Sequence, residues 1–147
     1  MKTIILSAVF VSIFFTACTV NYTYTNRKED VQDGQKILFK FYDDIYNKRF
    51  DELNTMASDT IKQTIGNTAL ADIAKKVNMN FGKYLDFLFT KSYTQKKEGA
   101  ASETLYQFVL KVTYEKGVLN EVVNLKKFKN GIKITNYEIY SKPIASN

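Results

Sequence analysis

The apolar positions of this chain fall into three regimes. A first run, Ile4 to Phe15, is twelve residues long and mostly apolar. That is the length of a secretion-signal core and short of the roughly 20 residues needed to cross a bilayer. From Val31 the spacing becomes three and four. Val31, Gly34, Leu38, Phe41, Tyr42 and Ile45 share one face of a helix that Asp30 can cap, with Lys36, Lys40, Asp43 and Asp44 mostly off the stripe. Asn47-Lys48-Arg49 interrupts it, a short helix restarts at Phe50-Asp51-Glu52-Leu53, and Ser58-Asp59 opens another turn ending at Gly66. Leu70, Ile73, Ala74, Val77, Phe81, Tyr84, Leu85 and Leu88 predict one further long helix, with Gly82 as a weak point inside it.

Beyond Phe87 the period changes to two. A strand is expected around residues 89–96, with a turn at Lys97-Glu98-Gly99. In the next strand Tyr106, Phe108, Leu110, Val112 and Tyr114 alternate with Gln107, Val109, Lys111, Thr113 and Glu115, as in an antiparallel sheet covered on one side. Lys116-Gly117 turns the chain into a strand over 118–128. Asn130-Gly131 is a hairpin signal, because both residues tolerate positive φ. The last strand, 132–140, changes phase at Thr135-Asn136, which predicts a β-bulge. The expectation is an α+β domain: N-terminal helices packed on a curved four-stranded antiparallel sheet.

Two absences narrow the chemistry. The 147 residues include one cysteine and no histidine. An internal disulfide, a Ser-His-Asp or Cys-His catalytic set and an imidazole zinc site are therefore excluded. No metal or cofactor is expected, and acid–base work would fall to carboxylates, Tyr or Lys. The single cysteine stands in Phe15-Thr16-Ala17-Cys18, directly after the apolar run. These four residues resemble the lipobox of bacterial lipoproteins. The resemblance implies a signal peptide over 1–17, lipidation of Cys18, and a membrane partner reached through acyl chains. A plain secretory signal and an N-terminal membrane anchor are the competing readings.

Residues 18–30 are polar and aperiodic and are read as a tether. The domain is placed at 31–142, with a tail at 143–147. Thr19 follows the cysteine where inner-membrane retention would want Asp, so the expected address is the periplasmic face of an outer membrane. Loss of Lys2 with the signal leaves 20 basic and 15 acidic residues, a net charge of +5. In the envelope this does not point to nucleic acid. The pairs Lys75-Lys76 and Lys96-Lys97 and the run Lys126-Lys127-Lys129 read as solvated faces, or as contacts to anionic headgroups.

Phe41 to Leu53 and the hairpin Asn130-Gly131-Ile132-Lys133-Ile134-Thr135-Asn136-Tyr137 are similar to the opening helix break and final hairpin of the nuclear-transport-factor-two-like superfamily. Ile132 stands where that family usually has Trp. The resemblance spans residues 31–142 and implies a cone-shaped, cystatin-like fold that hosts isomerases, other enzymes, transport factors and inert scaffolds alike. A site of the ketosteroid-isomerase type would need a carboxylate beside tyrosines inside the cone. Tyr42, Tyr106, Tyr114 and Tyr137 fall on inward positions, and Glu121 shares a strand face with Val123 and Leu125; Asp86 is a second carboxylate near the mouth. Tyr42, Phe81, Tyr84, Tyr106, Phe108, Tyr137 and Glu121 are accordingly the candidate pocket lining. The competing reading is that the rings fill the core and Glu121 is solvated near a strand start. The expected role is a non-catalytic binding or scaffolding domain for a hydrophobic small molecule or a protein. A ketosteroid-isomerase-type enzyme and a homodimeric docking module are the alternatives.

Overall fold

A computed structural model describes residues 21–140. The signal run, Cys18 and the 143–147 tail lie outside the described residues. Four helices, α1 (Lys28–Tyr46), α2 (Phe50–Met56), α3 (Asp59–Ile65) and α4 (Ala69–Phe81), lie between a first strand β1 (Tyr22–Thr25) and four later ones: β2 (Tyr84–Glu98), β3 (Glu103–Tyr114), β4 (Gly117–Phe128) and β5 (Gly131–Tyr140). The strands form one open antiparallel sheet in the order β1-β2-β3-β4-β5. The sheet has five strands, not four. The additional one comes from residues expected in the tether: Tyr22 pairs with Glu98 and Thr25 with Gln95 at the edge of β2.

The α1 stripe is buried as its spacing requires, from Gly34 through Leu38, Phe41 and Tyr42 to Ile45. The N-cap is Arg27 rather than Asp30. Asp30 sits inside the first turn, its carboxylate held by the Arg27 guanidinium at 2.7 and 2.9 Å. Asp44 also departs from expectation. It is fully buried, accepts from Lys40 Nζ at 2.7 Å and Arg49 Nε at 2.9 Å, and fastens the α1–α2 break. Both cations remain half-exposed. Asp44→Ala is therefore expected to remove charge-assisted hydrogen bonds without stranding a buried cation, at a cost of about 2 kcal/mol. Urea denaturation checks this; an unchanged midpoint would show the pair to be idle.

Ser58 caps α3, its Oγ accepting from Ile61 N at 3.4 Å, and Gly66 closes that helix at φ 108°. The last helix is shorter than its apolar spacing suggests. It ends at Phe81 because Gly82 takes φ 79° as its C-cap. A Cβ at Gly82 would stand 2.6 Å from Glu115 Oε2, and that carboxylate accepts from Lys83 N. Tyr84, Leu85 and Leu88 consequently belong to β2, where Leu85 and Leu88 are exposed.

The expected alternation in β3 holds: Thr104, Tyr106, Phe108, Leu110, Val112 and Tyr114 are buried. The bulge in β5 is where the phase slip placed it. Asn124 pairs with Asn136 but Leu125 pairs with Ile134, leaving Thr135 extra. The helices cover the face of the sheet that carries these residues, with Leu38, Phe41, Leu53 and Leu70 completing the core. No helix among the described residues is long and apolar enough to cross a membrane.

Candidate functional site: a buried carboxyl among tyrosines

Glu121 lies in the middle of β4, opposite Leu110 on β3 and Ile139 on β5. Its neighbours on the same face, Leu119 and Val123, point into the core, and so does Glu121, with 0% exposure. The reading of a solvated carboxylate near a strand start is thus overturned. A buried carboxyl without partners is costly, and three phenols supply them. Tyr42 reaches down from α1 and donates to Oε2 at 2.5 Å. Tyr137 donates to the same oxygen from β5 at 2.6 Å, and Tyr114 donates to Oε1 from β3 at 3.0 Å. One acceptor group ties the first helix to three strands.

The surroundings are aromatic. Tyr42 packs edge-on to Phe41, stacks on Tyr84 and lies 4.6 Å from Phe87 between ring centroids, while Phe41 meets Tyr137 edge-on at 5.4 Å. Desolvation raises the Glu121 carboxyl above the ordinary carboxylate range, against the opposing pull of the three hydroxyls. Burial also pushes the Tyr42 and Tyr137 phenols well above their usual value, with the charge of Glu121 adding to the shift. Tyr114 moves the same way for the same reasons. These phenols therefore serve as donors at any ordinary pH and not as acids.

The other expected lining residues take different places. Phe108 is fully buried under α1, and a Cβ on Gly34 would come within 2.6 Å of its ring. Tyr106 is 2% exposed, its hydroxyl has no hydrogen-bond partner, and burial lifts that hydroxyl to about 12. It is not part of the Glu121 cluster. Tyr84 is buried against Tyr42, its hydroxyl likewise pushed up to about 12 by burial. Phe81 is partly buried and lies 6.4 Å from the Tyr114 ring. Asp86 is exposed and accepts from Phe87 N, so it offers nothing to Glu121. Among the described residues there is no group of three or more acidic or cysteine side chains suited to a metal ion.

The clefts open elsewhere. A groove of about 510 Å³ runs over the outer sheet face, lined by residues that include Lys91, Gln107, Val109, Val122, Asn124 and Tyr140. A hollow of about 390 Å³ adjoins it beside Tyr93 and Leu105. A cleft of about 370 Å³ lies between Arg27 and Lys127. None of these is lined by Glu121, Tyr42, Tyr114 or Tyr137. The outer groove is the feature that the alternation reading only half registered: Gln107 and Lys111 were expected to be wet, but Val109 and Val122 pair across β3 and β4 in its floor. The chemical capacity of the interior is to hold one carboxyl in a closed set of hydrogen bonds. The outer face carries the open groove.

No protein-family model matches the chain, and no curated protein matches it.

Proposed function

We propose that this chain is a lipid-anchored protein of the cell envelope whose domain binds or scaffolds a protein partner through its outer sheet face and does not catalyse. The observation that carries the reading is the closure of the interior. The best-placed carboxyl, Glu121, is fully buried with both oxygens occupied, while the largest of the grooves described above lies outside on the sheet. A general base must reach its substrate's proton directly or through one water, and no described cleft leads to this one. The lipobox resemblance at Cys18 supports the anchor and the periplasmic face of an outer membrane as its address. Four helices packed against an open antiparallel sheet, its four long strands following them in the chain, support the likeness to the nuclear-transport-factor-two-like cone.

A second reading has one observation in its favour. A carboxyl raised by burial beside tyrosine hydroxyls resembles the chemistry of ketosteroid-isomerase-type sites, the handling of a protonated acid beside Tyr. Access past Tyr137, the one partly exposed ring of the three, would have to open for that role.

Photo-crosslinking in cells tests the docking surface. A crosslinking residue at Val109 or Val122 is expected to form protein adducts. The same residue at Met79, 75% exposed on α4, is expected to form none. Adducts at Met79 alone, or at no position, would sink the proposal. An adduct of twice the chain's own mass would identify the partner as a second copy.

A further inference from the structure

The register of the sheet gathers one kind of surface at one end. Tyr22 at the start of β1 pairs with Glu98 at the end of β2. Glu103 at the start of β3 pairs with Lys97, and Leu105 with Lys126 near the end of β4. Phe128 closes against Gly131 at the start of β5. The beginning of β1, the β2–β3 turn and the β4–β5 turn therefore share an end of the domain. The β3–β4 turn at Glu115-Lys116 lies at the other, roughly 35 Å away at about 3.3 Å per residue of strand.

The shared end is basic and aromatic. At its tip Lys127-Phe128-Lys129 is exposed, with Phe128 37% and Tyr22 56% accessible. Lys97, Lys127 and Lys129 make no ion pair with any described residue, whereas the acidic side chains nearby are occupied except Asp59, which shares a hollow with Phe128, Lys62 and Lys133. Glu98 pairs with Lys96, Glu103 with Lys126 at 2.5 Å, Asp30 and Glu29 with Arg27, and Asp33 with Lys36. Lys133 donates to Thr55 O at 2.7 Å and adds a further positive charge. Lysines around an exposed ring suit the membrane interface, where rings enter the headgroup layer and ammonium groups meet lipid phosphates. Lys75-Lys76 does not belong to this set; it sits on α4, with Lys75 over the Phe50 ring.

The length of chain before the domain points the same way. Because β1 begins at Tyr22, only Thr19, Val20 and Asn21 stand between it and Cys18. Four residue steps span at most about 14 Å. A lipid on Cys18 then leaves the start of β1 no room to face away from the bilayer.

We propose that this end of the sheet, led by Phe128, Tyr22 and the lysines at 97, 127 and 129, rests on a phospholipid bilayer carrying anionic headgroups, with the β3–β4 turn directed away from it. The orientation rests on the lipid-anchor reading; the basic-aromatic surface stands on the structure by itself.

The absence of tryptophan from the chain gives a direct test. The full chain, purified from membranes, is prepared with Phe128→Trp or with Tyr46→Trp, the latter near Tyr84 at the opposite end. Each is placed with vesicles of phosphatidylglycerol and bromine-labelled phosphatidylcholine, and the intact mass records whether Cys18 carries lipid. The expected result is quenching several-fold stronger at position 128 than at 46, reduced several-fold by adding Lys127→Glu and Lys129→Glu. Equal or absent quenching in the lipid-bearing chain overturns the proposal. A mass without lipid removes the anchor reading instead. Quenching at 128 by the same vesicles then still upholds the surface, and its absence discards it.

Discussion

Glu121→Ala is expected to destabilise the fold by about 4 kcal/mol, a large share of the roughly 5–15 kcal/mol that holds an ordinary domain together. The substitution leaves the hydroxyls of Tyr42, Tyr114 and Tyr137 without the acceptor they now share. Each unsatisfied buried donor costs about 1–3 kcal/mol. About 4 kcal/mol lies toward the lower end of three such losses taken together. Urea unfolding measures it; a loss under about 1 kcal/mol would mean the cluster contributes no net stability. Glu121→Gln separates charge from shape. Burial raises the folded carboxyl's pKa, so the native state holds its proton to higher pH than the unfolded chain, where glutamate titrates near about 4.3. The stability this contributes is full below the unfolded value and is lost as pH rises through the folded one. Wild type should therefore lose stability relative to Glu121→Gln on going from about pH 4 upward. A difference that stays constant with pH would show that the carboxyl titrates normally.

Gly34→Val should cost about 3 kcal/mol, in the range for overpacking a filled core. The first carbon added there would lie 2.6 and 2.7 Å from two ring carbons of Phe108 and 3.0 Å from the Tyr106 ring. Neither ring is a flexible chain end, and both are buried. Gly34→Ala should cost less, because its helix propensity returns up to about 1 kcal/mol. Combining Gly34→Val with Phe108→Leu is expected to recover part of the loss, which a double-mutant cycle reads as a favourable coupling. Strict additivity would show that the strain lies in the backbone rather than against Phe108.

Where one face of an element is buried and the other wet, the fold was legible from residue order. The stripe from Gly34 to Ile45 and the alternation from Tyr106 to Tyr114 carry that contrast, and so does the phase slip at Thr135. The contrast fails at both ends of β2. Leu85 and Leu88 continue the helical spacing of α4 although both are exposed strand residues, and only the positive φ of Gly82 marks the break. In β1 the run Tyr22-Thr23-Tyr24-Thr25 has strand-forming residue types, but all four are exposed. With no buried face it leaves no periodic trace. Glu121 could be placed on an inward face from Val123 and Leu125. Its closure could not be read, because it depends on a hydroxyl 79 positions away. Asp44 was hidden for a similar reason: its counter-charge Arg49 arrives only after the chain has turned at Lys48, φ 58°.

The small edge strand also settles how the domain meets a pull. Tension on the N-terminal chain enters at Tyr22 and runs along β1, antiparallel to β2 and perpendicular to the hydrogen bonds that join them. Those bonds are loaded together, in shear, rather than opened one after another like a zip. Behind them stands the bond from Asn26 N to Thr94 O, doubled by Asn26 Oδ1 accepting from Thr94 N, both at 2.9 Å. A tug on the leading segment is thus borne at the sheet's margin, and the cluster around Glu121 is reached only after that seam has slipped.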